Sequence, residues 1–307
     1  MAEVRGVVAH LPVLADEVLF LLRPRRGGWV VDGTVGGGGH AEVLLEAGPA
    51  MTRLLGIDAD PEALARAEAR LARFGARVAL RRGNFRHLGL LARDAGVDKA
   101  ETVLLDLGLS SAQIESSGRG FSFLRVEPLD MCFDPSGGPT AARLLQTLSK
   151  AELAAILSEY GGEPYAERVA QAVVARRGRA PIRTTADLVE VVKAAVPRRA
   201  WPRRSHVATR TFQALRMAVN DELAALAEGL PQAATLLAPG GRLGIISFHS
   251  GEDRVVRRLF KALAAGPFAE LTPAPLTPCR DEVRANRRSR SAKLRVLERL
   301  ESNRAAA

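Results

Sequence analysis

The stretch VVDGTVGGGGH, residues 30–40, decides the fold because a short apolar run leads directly into four consecutive glycines. Glycine loses more backbone freedom on folding than any other residue, so four in a row need a structural reason. A helical pattern follows over 40–47, which gives the order strand, glycine turn, helix. Such a turn lets a ligand approach the backbone, and the helix N-terminus offers unpaired N–H groups. We therefore expect a ligand site here.

Strand and helix patterns alternate through the first third of the chain. Apolar runs bounded by turn residues predict strands over 29–34, 53–58, 78–84 and 102–108. Between them, helical patterns cover 40–47, 61–74 and 85–96. Alternation at this spacing indicates a parallel, doubly wound α/β sheet.

The alternation stops after the fourth strand. From Leu109 to about Ser205 the sequence has no strand pattern, and it predicts helices over 140–148, 150–160, 164–177 and 185–196. Alternation resumes with one helix near 209–237, a strand over 240–248, a helix over 252–264 and a late strand over 293–299. We therefore predict a sheet domain formed by residues 1–108 and 206–307. A helical domain, residues 109–205, is predicted to interrupt the sheet domain and to recognise the substrate.

Composition narrows the class of protein. Apolar residues make up 47% of the 307-residue chain, which is enough for a buried core, and no run approaches the roughly 18 apolar residues of a membrane span. The two cysteines form neither a disulfide framework nor a zinc set. We expect a cytoplasmic protein without a metal or an export signal. The net charge of +10, carried by 39 Arg and 5 Lys, suits a polyanionic partner, although a general preference for arginine would give the same excess.

An acidic residue supports a nucleotide-type ligand at the glycine turn. Asp58 ends the second predicted strand, 22 residues beyond Gly36, where a carboxylate can accept both ribose hydroxyls. Gly36, Gly38 and Ala41 fit a relaxed GxGxxG pattern, so the residues alone leave NAD open.

The same loop also matches a methyltransferase pattern. Asp32, Gly36 and Gly38 have the spacing of the DPFxGSGT loop of amino methyltransferases, whose ligand is S-adenosyl-L-methionine. His40 is expected either to bind the carboxylate of that ligand or to cap the helix.

The fourth strand ends in DLGLSS, which brings Asp106, Ser110 and Ser111 to the edge of the sheet where ligands bind. Amino methyltransferases carry Asp/Asn-Pro-Pro-Tyr at this place, and its oxygen acceptors localise the lone pair of an exocyclic amine. Asp106 is expected to do the same, with Ser110 and Ser111 helping to orient the amine; the alternative for Asp106 is to hold the adenine edge of the cofactor. Methylation of a pyrimidine carbon would instead need a cysteine nucleophile. Cys132 lies well past this strand end, without a neighbouring base, so nitrogen is favoured over carbon.

Motifs along nearly the whole chain resemble those of one family, the bacterial small-subunit ribosomal RNA methyltransferases H, also called MraW. The motifs are HLPVLADEVL (10–19), DGTVGGGGH (32–40), GIDADPEAL (56–64), LLDLGLSSAQI (104–114), RGFSF (119–123), PLDM (128–131), TRTFQALRMAVNDEL (209–223), ISFHSGEDR (246–254) and RSRSAKLR (288–295). The resemblance implies a Rossmann-like sheet and transfer of a methyl group from S-adenosyl-L-methionine to N4 of a cytidine in the decoding centre of 16S rRNA. It implies as cofactor residues Gly38, Gly39, His40, Asp58, Phe85, Asp106 and Gln113.

Two arginine-rich stretches are candidate RNA contacts. The basic segment, PRRAWPRRSH (197–206), offers Trp201, Arg203 and Arg204. The second basic segment, RANRRSRSAKLR (284–295), has six cations and no acid, and it offers Arg287, Arg288, Arg290 and Lys293. Arginine binds phosphate, and an aromatic ring stacks on an unpaired base.

A cytosine must leave its stack before its N4 can react, so a base pocket is expected. Candidate residues for stacking are Phe121, Phe123 and Phe248, and candidates for the base edges are His249 and Ser250, with Asn220 and Asp221 as further polar residues. The alternative for the phenylalanines is a place in the core.

The expected partner is 16S rRNA, with the assembled small subunit favoured over naked rRNA, and a homodimer is left open. Two other functions also remain open from the residues alone. One is a non-catalytic RNA-binding factor in ribosome assembly, and the other is an NAD-dependent oxidoreductase.

Overall fold

The computed structural model describes residues 12–301, and within them the chain forms two compact units. The sheet unit comprises Met1–Gly108 and Ala224–Ala307, and the helical unit comprises Leu109–Leu223. Among the described residues no helix is long and apolar enough to cross a bilayer.

The sheet unit has seven strands, whose spatial order is third, second, first, fourth, fifth, seventh, sixth. They are β1 (Trp29–Asp32), β2 (Arg53–Asp58), β3 (Val78–Arg82), β4 (Ala100–Asp106), β5 (Leu237–Ser247), β6 (Phe268–Glu270) and β7 (Lys293–Arg299). The first five strands are parallel, while β7 runs antiparallel to both β5 and β6. The predicted α/β fold and its six predicted strands are confirmed; β6 was missed because three residues give no periodic pattern.

Thirteen α-helices lie within the described residues. They are α1 (Ala15–Leu22), α2 (Gly39–Ala47), α3 (Pro61–Leu71), α4 (Leu88–Asp94), α5 (Ser111–Ser116), α6 (Ala141–Thr147), α7 (Lys150–Glu159), α8 (Ala166–Arg177), α9 (Thr185–Ala195), α10 (Thr209–Asn220), α11 (Glu222–Leu236), α12 (Ser250–Leu263) and α13 (Arg280–Ala285). Helix α3 begins as its sequence predicts, with Pro61 in its first turn and the Asp60 carboxylate accepting from the Glu62 N–H at 3.0 Å.

The strand order of the sheet positions the site. The chain crosses from β1 to β2 and β3 on one side, and then returns to β4 on the other side of β1. This reversal leaves a crevice beyond the carboxyl ends of β1 and β4, which is where open α/β sheets bind their ligands. The sheet itself is a rigid support, because Val31, Leu55, Val103 and Ile245 are buried in its core.

The helical unit contains α5 to α10 and the short 3₁₀ turn at Arg198–Ala200. Its described residues include no strand, only an isolated bridge between Pro128 and Thr184. Helix α7 begins with the capping box that its sequence predicts, in which the Ser149 hydroxyl accepts from the Glu152 N–H and the Glu152 carboxylate accepts from the Ser149 N–H. A separate apolar core holds the unit together.

One predicted boundary differs from the division into units. The break after residue 108 coincides with it, but the second break lies at 223/224 and not at 205/206. Phe212, Ala214 and Leu215 of α10 belong to the core of the helical unit, so that helix folds with the inserted residues. The single helix predicted near 209–237 is in fact two helices, separated by Asp221 in the left-handed conformation at φ 48°.

Candidate functional site

The glycine loop between β1 and α2 requires glycine at two of its positions. Gly36 and Gly38 have φ values of +54° and +82°, in the left-handed region that side chains disfavour. A Cβ atom at Gly38 would also lie 3.3 Å from the Leu71 side chain. At Gly37 a Cβ atom would meet no atom of the described residues within 4 Å, apart from its chain neighbours, so these residues leave space for a ligand at this position.

Asp58 fixes the shape of this loop. Its Oδ2 accepts a hydrogen bond from the Gly36 N–H at 2.9 Å, and its Oδ1 accepts from the Asp60 N–H at 2.9 Å. A carboxylate has about four acceptor positions, so each oxygen keeps capacity for a ribose hydroxyl. Burial raises the pKa of Asp58 to about 6. The acid that the sequence predicts at the end of β2 therefore also shapes the loop, a role that its spacing alone does not reveal.

Asp106, at the end of β4, carries the most distinctive atom of the site. Its Oδ1 is buried and has no hydrogen-bond partner among the described residues, although a buried oxygen normally has one. Burial, and secondarily the nearby Glu252 carboxylate, raises the pKa of Asp106 to about 7. The Asp106 N–H donates to the Thr34 hydroxyl at 2.6 Å, which joins the strand end to the glycine loop.

His40 faces Asp106 from the first turn of α2. Its Nε2 lies 2.8 Å from the Val13 carbonyl oxygen, which makes this nitrogen the donor, and its Nδ1 lies 3.5 Å from Asp106 Oδ2. Burial lowers the pKa of His40. The expectation that His40 caps the helix is wrong, because Gly38 is the N-cap residue and no side chain bonds the cap. Its contact with the cofactor stays a prediction.

Asp32 ends β1 beside these groups and is 1% exposed. Its Oδ1 accepts from the Thr34 N–H at 3.1 Å. Burial is the main cause that raises the pKa of Asp32 to about 7, against the opposing effect of His40. Three carboxyl groups with raised pKa values therefore lie at the ends of three neighbouring strands. Such groupings are typical of functional sites.

Phe85 and Gln113 are the cofactor residues that only the resemblance predicts. Phe85 is half-buried against the core of the sheet unit, where a Cβ atom at Gly229 would lie 2.9 Å from its ring. Gln113 is in the helical unit, where its Oε1 accepts from the Ser110 N–H at 2.9 Å while Ser110 Oγ accepts from the Gln113 N–H at 3.2 Å. Ser110 is thus the N-cap of α5, and Ser111 is the first residue of that helix.

The residues after β5 form the N-terminus of α12. His249 is the N-cap, and its Nδ1 accepts from the Glu252 N–H at 3.3 Å while its Nε2 lies 3.0 Å from Glu252 Oε1. The buried Glu252 carboxylate also accepts from the Phe248 N–H at 2.8 Å. Phe248 is half-buried against the sheet core, and Ser250 is exposed. His249 Nδ1 is therefore used in this cap, whereas its buried Nε2 has no hydrogen-bond partner among the described residues.

In the helical unit the aromatic candidates pack inward. Phe121 is 8% exposed and stacks on Phe133 with ring centroids 5.8 Å apart, so it belongs to the core and the prediction of an accessible stacking ring is wrong. Phe123 is half-buried, and one of its faces is covered by the His206 ring at 4.6 Å. The Trp201 indole donates to the Val196 carbonyl at 3.0 Å, with the Arg198 guanidinium over its ring.

The cations divide into exposed and internally paired groups. Arg203 and Arg204 are exposed in the basic segment, as are Arg287 and Arg290 in the second basic segment, where Arg288 is half-buried. Lys293 differs, because its ammonium lies 3.1 Å from the Asp253 carboxylate, which balances its charge within the protein. Its contact with RNA stays a prediction.

Two further residues have structural roles. The Asn220 amide accepts from the Phe133 N–H at 2.7 Å and donates to the Met131 carbonyl at 2.8 Å, which fixes the 131–133 backbone. Cys132 is buried, and burial raises the pKa of its thiol to about 12, so it is a poor nucleophile as predicted. Sequence reasoning did not single out Thr34, whose hydroxyl accepts a hydrogen bond from the distant Asp106 N–H, or Glu252, whose carboxylate closes the turn at Phe248 and His249.

The fold and the loop together define a Rossmann-like methyltransferase that uses S-adenosyl-L-methionine. The model of the MraW methylase family matches residues 7–300, and the chain belongs to that family. The NAD-dependent oxidoreductase that the glycine loop left open is therefore set aside.

Sequence relatives agree with this assignment. The ribosomal RNA small subunit methyltransferase H of Geobacter sp. strain M21 is 48% identical, covering 95% of this chain and 98% of its own. The enzyme of the same name from Heliobacterium modesticaldum is 45% identical over 96% and 99% of the two chains. Among solved structures, an rRNA methylase from Streptococcus thermophilus has a TM-score of 0.44 at 13% identity and covers 94% of both chains, a weaker likeness.

The residues of the sheet unit fit this cofactor on three observations. Within residues 12–301, Gly37 leaves open space beside the loop backbone, Asp58 keeps acceptor capacity at the end of β2, and Asp106 Oδ1 is a buried acceptor without a hydrogen-bond partner. An open backbone surface, a ribose acceptor and a polar group beyond β4 are what a nucleoside-containing ligand needs in the crevice.

Proposed function

We propose that this protein transfers the methyl group of S-adenosyl-L-methionine to the exocyclic N4 of a cytidine in the decoding centre of 16S rRNA, in the cytoplasm. The observation that carries the proposal is the unpartnered, buried Oδ1 of Asp106 beside the glycine loop. Relatives at 45–48% identity that bear the name ribosomal RNA small subunit methyltransferase H support the substrate class.

The sheet unit would bind the cofactor through groups that are already in place. The 36–38 backbone offers an open approach, Asp58 would accept the ribose hydroxyls, and Phe85 would lie against the adenine. Gly38, Gly39, His40 and Gln113 complete the proposed binding set. The bound cofactor supplies an electrophilic methyl group on a sulfonium.

Asp106 would orient the nucleophile. The lone pair of the cytosine N4 is delocalised into the ring, so an acceptor that holds the N–H bonds favours a geometry in which the lone pair resides on nitrogen. When N4 attacks, the N–CH₃ bond forms, the S–CH₃ bond breaks, and S-adenosylhomocysteine leaves. The N4 proton, made strongly acidic by alkylation, then passes to solvent or to the Asp106 carboxylate. Ser110 and Ser111 would hold the backbone that follows this strand end in position through the cap of α5.

The exposed cations would bind the RNA backbone. Arg203 and Arg204 of the basic segment, with Arg287 and Arg290 of the second, are exposed to solvent. Arginine–phosphate contacts give affinity without sequence information. The reactive base is then selected by the position of the RNA and by its fit beside Asp106.

The test uses small ribosomal subunits from cells that lack this protein, and the naked 16S rRNA extracted from them. Each is incubated with the enzyme and S-adenosyl-L-methionine, and the nucleosides are identified by mass spectrometry. We expect N4-methylcytidine at one decoding-centre position, with the assembled subunit as the better substrate. Methylation of another atom or another RNA would contradict the proposal.

The same experiment tests the non-catalytic alternative. An assembly factor would bind the subunit, and its cofactor pocket would bind S-adenosylhomocysteine, yet neither RNA would gain a methyl group. Cofactor binding is measured by calorimetry on the same preparation, so that an inactive, misfolded sample is recognised.

A further inference from the structure

Five large apolar side chains are strongly exposed among the described residues. Two of them, Leu124 and Val126, lie two positions apart in the sequence. Leu124 is 83% exposed and Val126 is 74% exposed, and both are in the helical unit. We call this pair the apolar tip. Exposed large side chains are ordinary when scattered, but a close pair on one loop is a feature that marks interaction surfaces.

The loop that carries the apolar tip is held firmly at its base. The Gly120 N–H donates to Glu127 Oε2 at 2.9 Å, and a Cβ atom at Gly120 would approach the Pro128 carbonyl oxygen to 2.3 Å. Residues 120 and 128 are therefore close together, which makes 120–128 a compact closed loop.

The start of α9 fixes the other side of the loop. The Thr185 hydroxyl donates to the Arg125 carbonyl at 2.5 Å, and the Thr185 N–H donates to the Glu127 carbonyl at 2.9 Å. The backbone on both sides of Val126 is thus hydrogen-bonded while the two apolar side chains face solvent.

Cations flank the apolar tip. Phe123, its immediate neighbour, stacks on His206 of the basic segment at 4.6 Å between ring centroids. Arg204 is two residues from His206, so their Cα atoms are within about 7 Å of each other. Residues 119–126 and 197–206 together contain six arginines and no acidic residue. The structure therefore brings together two stretches that are about 80 residues apart in the chain.

A polyanion with apolar faces matches this surface. Unstacked bases present flat apolar faces, and proteins insert leucine and similar side chains between base steps while arginines hold the phosphates. A purely electrostatic RNA contact would not need Leu124 or Val126, and a purely apolar protein contact would not need the exposed Arg203 and Arg204 of the basic segment.

We propose that Leu124 and Val126 contact unstacked bases of the RNA substrate, next to phosphates bound by the basic segment. The inference rests on the proposed function, because it takes the substrate to be RNA. It assigns the base contact to these two aliphatic side chains in place of Phe121, which lies in the core, and Phe123, whose face His206 covers.

The test is the double variant Leu124→Ser/Val126→Ser, with Phe20→Ser/Met51→Ser as the control. Phe20 and Met51 are 78% and 70% exposed and lie in the sheet unit, so the control removes a similar amount of exposed apolar surface. Binding to 16S rRNA and to unmodified small subunits is measured by filter retention. Melting temperature and S-adenosylhomocysteine affinity check that each variant is folded.

We expect the Leu124/Val126 variant to lose about tenfold in RNA affinity or more, while the control stays within about twofold of the wild type. Because no charge is removed, the slope of log affinity against log salt should stay unchanged. Equal affinities for wild type, variant and control would overturn the inference.

Three other outcomes also decide the question. If the wild type dimerises and the tip variant is monomeric with full RNA affinity, the apolar tip is a self-association surface and the inference is wrong. If the wild type binds RNA through the tip but methylates nothing, the proposed function fails and the RNA contact stands. If the wild type neither binds nor methylates RNA, both are overturned.

Discussion

The two units of this protein differ in the burial of their charged groups. The sheet unit gathers Asp32, Asp58 and Asp106 at the ends of parallel strands, where burial raises their pKa values. The helical unit packs its aromatic rings against its own core and leaves the arginines of the basic segment exposed. Buried, unsatisfied acceptors suit chemistry on a bound group, and exposed cations suit binding of a large anion. We therefore assign methyl transfer to the first set and RNA affinity to the second.

The largest effect is expected at Asp106. In Asp106→Ala the amine loses its proposed acceptor, and the methyl-transfer rate should fall on the order of 10²- to 10³-fold. Asp106→Asn keeps one acceptor oxygen and should lose less. Single-turnover rates with saturating cofactor and small subunits measure this difference. Full activity of Asp106→Ala would remove Asp106 from the chemistry.

A pH dependence follows from the same residue. Only the ionised carboxylate can accept both N–H bonds and the departing proton, and its pKa is raised to about 7. We expect kcat/KM to rise with pH and to level off above about pH 7, and Asp106→Asn to lose this limb. Rates from pH 5 to 9 check the prediction, and an identical limb in Asp106→Asn would assign it to another group.

The free energy of unfolding should depend on pH in the opposite direction, because of the same Asp106 carboxyl group. The folded protein holds a proton on Asp106 that the unfolded chain releases above its ordinary value of 3.8. The contribution to the free energy of unfolding is therefore present below about pH 4 and is lost as pH rises through about 7. Relative to the wild type, Asp106→Asn should gain stability over this range.

Substitutions at two neighbouring glycines of the sheet unit should separate an effect on stability from an effect on cofactor binding. Gly38→Ala forces a side chain into φ +82° and toward Leu71, which should cost about 1–2 kcal/mol of stability. The Cβ atom of Gly37→Ala would meet no described residue beyond its chain neighbours, so this variant should stay within about 0.5 kcal/mol of the wild type. If the cofactor approaches the loop here, Gly37→Ala still loses about tenfold in S-adenosylhomocysteine affinity, equivalent to about 1.4 kcal/mol. Melting curves and calorimetry measure both quantities; unchanged affinity would place the cofactor elsewhere.

The basic segments are compared by salt dependence. Arg203→Ala/Arg204→Ala should weaken RNA binding and reduce the slope of log affinity against log salt by about 1–2. Arg287→Ala/Arg290→Ala tests the second basic segment in the same way. If neither double variant changed the RNA affinity, the two basic segments would not be the source of that affinity.

The smallest effect is expected at Cys132. Its buried thiol, with a pKa of about 12, should resist alkylation in the folded protein while the exposed Cys279 reacts. Cys132→Ala should retain methyl transfer, since no covalent bond to the base is needed. Loss of activity in this folded variant would favour methylation at carbon.

Local sequence patterns predicted what depends on near neighbours. The strands and the α7 capping box follow from apolar runs and from residues three positions apart. The acid at the end of β2 was predicted because its spacing from the glycines is a property of the strand–helix unit. The predicted boundary at 205/206 was wrong because α10 follows the insertion in sequence but packs in its core.

The environment of a side chain was not predictable in the same way. RGFSF contains two phenylalanines that the sequence cannot distinguish, yet Phe121 stacks on Phe133 while Phe123 stacks on His206, which is 83 residues away. Glu252 lies within the ISFHSGEDR motif, yet the motif does not show that its carboxylate closes the turn at Phe248 and His249. The sequence does not distinguish Lys293 from the other cations of the second basic segment. In the structure, β7 places its ammonium beside the Asp253 carboxylate.

One measurement tests the division of roles most directly: the single-turnover rate of methyl transfer as a function of small-subunit concentration, for the wild type, Asp106→Ala and Leu124→Ser/Val126→Ser. We predict that Asp106→Ala lowers the rate at saturation and leaves the half-saturating concentration unchanged. The apolar-tip variant should raise the half-saturating concentration and leave the rate at saturation unchanged. If both variants change the same parameter, or if Asp106→Ala acts only on RNA affinity, the assignment of chemistry to the sheet unit and of RNA binding to the helical unit is contradicted.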